Sequence, residues 1–188
     1  IIIVVATSVW YYYYKHPAEV RESIIVGFYA AMDTDWGKSG IRGLEIAVEE
    51  INEAGGILGR PVEIVGPFNT EMRTEEAVRL YKHLVWTEKV DFVIDAVTDD
   101  EEVSVMSLVG QTNVITIGTW VTTVECSDKV WQDYEHYKNY FQTNFNDWGI
   151  GIGLTEFLKD IKPTYGVNSI VLLREDLVWT YGVRDFLY

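Results

Sequence analysis

Aromatic and short polar residues recur at one kind of place in this sequence, just after a predicted strand. Asp33, Asp35 and Trp36 follow the first strand, Thr98 and Asp99 the third, and Gly118, Thr119 and Trp120 the fourth. Trp179 and Tyr181 stand at the equivalent place in a later block. Tryptophans offer flat apolar walls, and a few hydroxyl, carboxylate and backbone groups among them would orient a small molecule. A single tryptophan is ordinarily core or surface filler, but Trp36, Trp120 and Trp179 at one topological position point to a pocket. The carboxylates Asp33, Asp35, Asp99 and Asp100 could also converge at the strand ends as a general acid–base pair. Helix N-termini attract acids for dipole reasons alone, which is the plainer reading.

Other chemistry is thinly represented. The sequence holds no phosphate loop with a lysine, no serine elbow and no His-Glu-x-x-His pair. Gly149, Gly151 and Gly153 alternate as in a dinucleotide loop, yet they lie in a helical stretch with the wrong spacing and read as helix packing. His16, His83 and His136 are far apart, and Cys126 is the sole cysteine. No internal disulfide, metal site or cofactor is therefore expected. A formal charge of −14 with no basic cluster argues against a nucleic-acid partner.

The elements that would position these residues alternate after residue 23. Ile24–Phe28 predicts a strand, followed by a polar loop and a helix over about Lys38–Ala54, where Ile41, Leu44, Val48 and Ile51 repeat at three and four residues. Gly55-Gly56 stops that helix, and Pro61–Val65 predicts the second strand. Thr74 opens a second helix with two acids in its first turn. Asp91–Ile94 is the third strand, and Thr98 with Glu101 forms a capping box before a helix carrying Val103, Met106 and Val109. Asn113–Thr119 is the fourth strand. Beyond Asn144 a helix over Asp147–Asp160 and a buried strand over Ser169–Leu173 are expected, then the start of another helix. This alternation predicts βαβ units, a parallel sheet and ligand sites at the strand carboxyl ends.

Residues 1–17, IIIVVATSVWYYYYKHP, differ from the rest. The run is shorter than the roughly 20 residues that a spanning helix needs. Its aromatic end resembles an interfacial belt. It is read as a signal or membrane-anchor segment, against the alternative of a buried strand or core helix, with 18–23 as a linker.

The residues now spell a pattern. IIVGFYAAMDTDWGKSGIRGLEIAVEEINEAGGILGRPVEIV resembles the opening of the type I periplasmic binding proteins of branched-chain amino acid transporters, the leucine/isoleucine/valine-binding type. The likeness continues through TEEAVRLYKHLVWTEKVDFVIDAVTDDEEVSVM, VITIGT, YFQTNFNDWGIGIGLTEFLKD and VNSIVLLREDLVWTYG, so it covers about residues 24–188. It implies a Rossmann-like parallel sheet flanked by helices in two lobes, with 24–143 as lobe 1 and 144–188 as the beginning of an incomplete lobe 2. The chain would cross between them at Phe141–Asn146. It also implies a substrate-binding subunit of an ABC importer that closes on its solute without covalent chemistry. The expected partners are a small solute, the permease subunits and, through residues 1–17, the membrane. The location would be extracytoplasmic.

By the same resemblance Trp36 matches an aromatic wall, and Gly118, Thr119 and Trp120 match a loop that offers backbone and hydroxyl contacts. Tyr181 matches a tyrosine facing the ligand from lobe 2. Asp99 departs from the pattern, because it occupies the place of a serine that helps hold the α-carboxylate of an amino acid. Two anions a few ångström apart repel by about 4 kcal/mol at an effective dielectric near 20. Three resolutions stay open: Asp99 points away, Thr98 takes the serine's role, or the ligand is neutral or cationic there, as an amide or amine would be. A sensory domain of the same fold, and an enzyme using Asp33, Asp35 and Asp99, are the rival readings.

Overall fold

The computed structural model describes residues 22–187, so the apolar run 1–17 and most of the linker lie outside the described residues. Strand β1 (Ile24–Ala30) shows why the sequence builds a two-faced sheet. Side chains alternate along a strand. Ile24, Val26, Phe28 and Ala30 accordingly pack with Ile41, Leu44, Val48 and Ile51 of helix α1 (Asp35–Glu53). Ile25 and Tyr29 point the other way, into the larger core. Ala77, Leu80 and Tyr81 of α2 (Thr74–Lys82) enter that core, as do Val105, Met106 and Val109 of α3 (Asp99–Val109). Helix α2 continues as a π-helical stretch, His83–Glu88, which Lys89 ends in the left-handed conformation.

Strands β2 (Val62–Asn69), β3 (Phe92–Ala96), β4 (Ile115–Gly118) and β5 (Tyr140–Gln142) complete the sheet. All pairings are parallel and the order is β2-β1-β3-β4-β5. From β1 the chain moves outward to β2 over one face, then returns across β1 to β3 over the other. The loops that leave β1 and β3 therefore diverge. This is the topological switch point at which open α/β sheets form a crevice.

Several expectations are adjusted. Helix α1 begins at Asp35, three residues before the predicted start, because Thr34 caps it: Gly37 N donates to Thr34 Oγ1 at 3.0 Å. Helices α4 (Val124–Gln132) and α5 (Tyr134–Tyr137) and the edge strand β5 were not expected. Phe141 and Gln142, assigned to the crossing segment, pair in register with Ile117 and Gly118. The buried strand expected over Ser169–Leu173 is absent. That run is irregular, with Val171 87% and Leu173 91% exposed. A strand needs a neighbour to take up its ladder bonds, and no described strand lies beside it.

Helices α6 (Asp147–Tyr165) and α7 (Val178–Leu187) pack on each other after the sheet ends. No helix among the described residues is long and apolar enough to cross a membrane.

Candidate functional site

The loop after β1 is built from local bonds. Thr34 Oγ1 donates to Ala31 O at 2.7 Å, and Asn69 Oδ1 accepts the amide of Met32 at 2.9 Å. Gly37 is required here, since a Cβ would collide with the carbonyl of Ala31. These contacts fix the first turn of α1 and place Trp36 on it. The loop after β4 is fixed differently: Thr119 donates both its amide and its hydroxyl to Asp95 O, at 3.2 and 2.5 Å. The next residue, Trp120, extends over the sheet end and stacks on Trp36, with centroids 5.2 Å apart and planes 2° from parallel. Strands β1 and β4 are separated by β3, hence by about 9.6 Å. Two indoles are large enough to bridge that gap.

Between them β3 runs into α3, where the expected capping box is present. Glu101 N donates to Thr98 Oγ1 at 3.4 Å, and Glu101 Oε2 accepts from Thr98 N at 2.8 Å and Thr98 Oγ1 at 2.7 Å. Asp99 follows, 9% exposed. Its Oδ1 accepts the amides of Thr122 at 2.7 Å and Thr123 at 2.5 Å, at the start of α4. Burial raises the Asp99 carboxyl above the usual range, and the two amides offset part of that rise.

Asp147, at the start of α6, meets the same loop. Its amide donates to Thr122 O at 2.7 Å, and its Oδ1 accepts the amide of Val124 at 3.1 Å. Gly182 of α7 packs so closely on the Asp147 carboxylate that a Cβ would clash with it. Asp147 thus joins α6, α7 and the loop that carries Trp120.

A cleft of about 450 Å³ opens at this junction. Trp36, Trp120 and Trp179 form its aromatic walls, Met72 and Leu177 add apolar surface, and Thr74 and Thr98 add hydroxyls. Its charged residues are Asp99, Asp100 and Glu175, and among the described residues no lysine, arginine or histidine lines it. Volume and character are those of a small-molecule pocket.

The structure brings Trp36, Thr98, Asp99 and Trp120 together around this space. Gly118, Thr119 and Tyr181 are not among the lining residues. Gly118 lies beneath, where a Cβ would come within 2.8 Å of the Tyr140 hydroxyl and 3.5 Å of Glu102 Oε1. Thr119 spends its hydroxyl on β3. Tyr181 donates to Asp176 and lies under the Arg174 guanidinium, 4.3 Å from the ring centroid. Asp33 accepts from Asn69 Nδ2 at 2.9 Å, and neither it nor Asp35 lines the cleft with Asp99.

Beneath the cleft lies a group that the sequence reading overlooked. Asp95 and Glu102 are fully buried; the Tyr140 hydroxyl is the donor beside Glu102, and the Asp95 carboxylate finds no hydrogen-bond donor. A proton held by either one supplies that donor, as in other paired carboxyls. Burial, then the charge of Glu102, pushes Asp95 well up; burial raises Glu102 to about 7. Burial also raises Tyr29, Tyr140 and Cys126. One signal was available: Asp95 interrupts the otherwise apolar run Phe92–Val97.

A doubly wound parallel sheet with its cleft at the switch point defines an open α/β protein of the ligand-binding kind. The chain belongs to the periplasmic binding protein family, whose model matches residues 26–187, and its fold is the type I form. One similar solved structure is LivJ of Streptococcus pneumoniae, a branched-chain amino acid transporter substrate binding protein in complex with isoleucine. It is 25% identical, with a TM-score of 0.59 over 67% of this chain and 35% of that one. An ABC transporter substrate-binding protein from Desulfitobacterium hafniense, in complex with Leu, is 21% identical with a TM-score of 0.73 over 87% and 45%. The leucine binding protein LivK from Thermotoga maritima is 18% identical with a TM-score of 0.71 over 87% and 44%. The chain spans less than half the length of these structures. No curated protein matches the sequence.

Proposed function

We propose that this chain is the solute-binding part of an ABC importer, working outside the cytoplasm and delivering an amino acid or an amide- or amine-like relative to permease subunits. Residues 24–143 serve as lobe 1 and 144–188 as the start of lobe 2, with residues 1–17 as export signal or anchor. The observation that carries this reading is the placement of three tryptophans from three separate segments around one cleft at the switch point. Trp36 and Trp120 come from the sheet side and Trp179 from α7, so solute held between them would draw α7 toward the sheet. Closure of this hinge type needs no bond chemistry. Similarity to proteins solved with isoleucine and with Leu supports the solute class.

Calorimetric titration with amino acids, amides and amines tests the reading. Saturable binding of at least one is the expected result, and failure of all of them sinks it.

A further inference from the structure

We infer that the cleft selects an organic cation, a primary or quaternary amine without a free carboxylate, over the zwitterionic amino acid. This deepens the solute-binding reading and rests on it. Three observations on separate groups lead to it.

Charge comes first. Asp99, Asp100 and Glu175 line the cleft and no basic side chain among the described residues does, so a solute anion would meet like charge from each charged residue of this lining.

Several donors that could hold a carboxylate are already engaged. A helix N-terminus is ordinarily an anion site. At the head of α3, however, the Glu101 amide is taken by Thr98 Oγ1, the Glu102 amide by Thr98 O, and the Thr98 amide by Glu101 Oε2. Four acids, Asp99 to Glu102, already occupy the first turn. The hydroxyl of Thr98 donates to Glu101, and that of Thr119 donates to Asp95 O. The helix has supplied its own counter-charge.

Aromatic surface is the third observation. The parallel Trp36–Trp120 pair presents an extended π face, and Trp179 lines the same cavity. Tryptophan is the strongest of the aromatic partners for a cation, and quaternary ammonium groups are recognised by such walls. Carboxylates at the rim add attraction at a distance that salt weakens.

A panel on one carbon skeleton separates the charges: isopentylamine, leucinamide, leucine, isovaleramide and isovalerate, with tetramethylammonium as the quaternary probe. Titrated into the full chain at low and high salt, the amines and tetramethylammonium should bind at least about tenfold tighter than leucine, and isovalerate should not bind. Trp120→Ala should weaken amine binding by about tenfold while Trp120→Phe restores part of it. The exposed Asp100→Asn and Glu175→Gln should each weaken the amines and spare isovaleramide. Leucine or isovalerate binding as tightly as isopentylamine overturns this inference and leaves the solute-binding reading standing. Absence of binding by every member overturns this inference, and the solute-binding reading falls with it only when the wider set of amino acids, amides and amines fails as well.

Discussion

Asp99 Oδ1 accepts the backbone N–H of Thr123 at 2.5 Å, so a carboxylate lining the cleft is also the clamp on the loop that carries Trp120. That dual duty explains why an acid can stand where the resemblance leads one to expect a serine. The charge answers two amides inside the protein, and where it lines the cleft it faces a solute anion with like charge.

Replacing the clamp should be felt in the fold. Asp99→Ser removes the acceptor for Thr122 and Thr123 and should cost roughly 1–3 kcal/mol in chemical denaturation. Asp99→Asn keeps an oxygen acceptor and should cost less. Equal stability of Asp99→Ser and the parent would show that the clamp carries no weight.

Stability should fall as the solution is made less acidic. The folded-state pKa of Glu102 is raised to about 7, so the folded protein holds a proton that the unfolded chain releases at lower pH. Asp95, Asp99 and Asp147 are shifted in the same direction by burial. Stability from Glu102 is fully present below its unfolded pKa of roughly 4.3 and is lost as pH rises through 7, with roughly 3–4 kcal/mol at stake. Denaturation midpoints between pH 4.5 and 8 check this. Glu102→Gln, which carries no charge to bury, should flatten the profile and raise the midpoint at pH 8. A parent whose stability rises over this interval would contradict the assignment.

Gly182 sets the distance between α7 and the Asp147 carboxylate. In Gly182→Ala the added methyl must displace the Asp147 carboxylate from its bond to the Val124 amide, and the substitution should cost about 1–3 kcal/mol. Hydrogen exchange should rise in α7 more than in β1 or β3. Uniform protection across parent and variant would mean that the helix absorbs the methyl without moving.

Thr34 is the N-cap of α1, and Thr34→Ala should lower stability by about 1 kcal/mol. Because this cap fixes the turn carrying Trp36, solute affinity should fall with it, a pairing that calorimetry and thermal melting read separately.

Much of the frame was legible in residue order. The short apolar run at Ile24–Phe28, the three-and-four repeat of Ile41, Leu44, Val48 and Ile51, and the Thr98–Glu101 cap each encode a local preference that tertiary packing did not override. What escaped notice depended on distant partners. Strand β5 is three residues long and exists because β4 lies beside it, while Ser169–Leu173 has strand composition and no neighbour among the described strands. Within the site, Trp36 and Trp120 are visible as residues. That they stack, and that Thr119 turns its hydroxyl to β3, follows only from the strand order. Glu102 looks like an ordinary helix-opening acid until α3 is laid against the sheet and buries it.

The Trp36–Trp120 stack has an optical consequence. Two indoles at 5.2 Å share their electronic excitation, so the circular dichroism of the protein should contain a coupled band, its size set by the angle between the in-plane axes of the rings, that neither ring produces alone. Anything that slides between the rings or tilts one of them would dim that band, and either Trp36→Phe or Trp120→Phe should abolish it whole. The cleft carries its own chromophore, and its state can be followed in solution without a label.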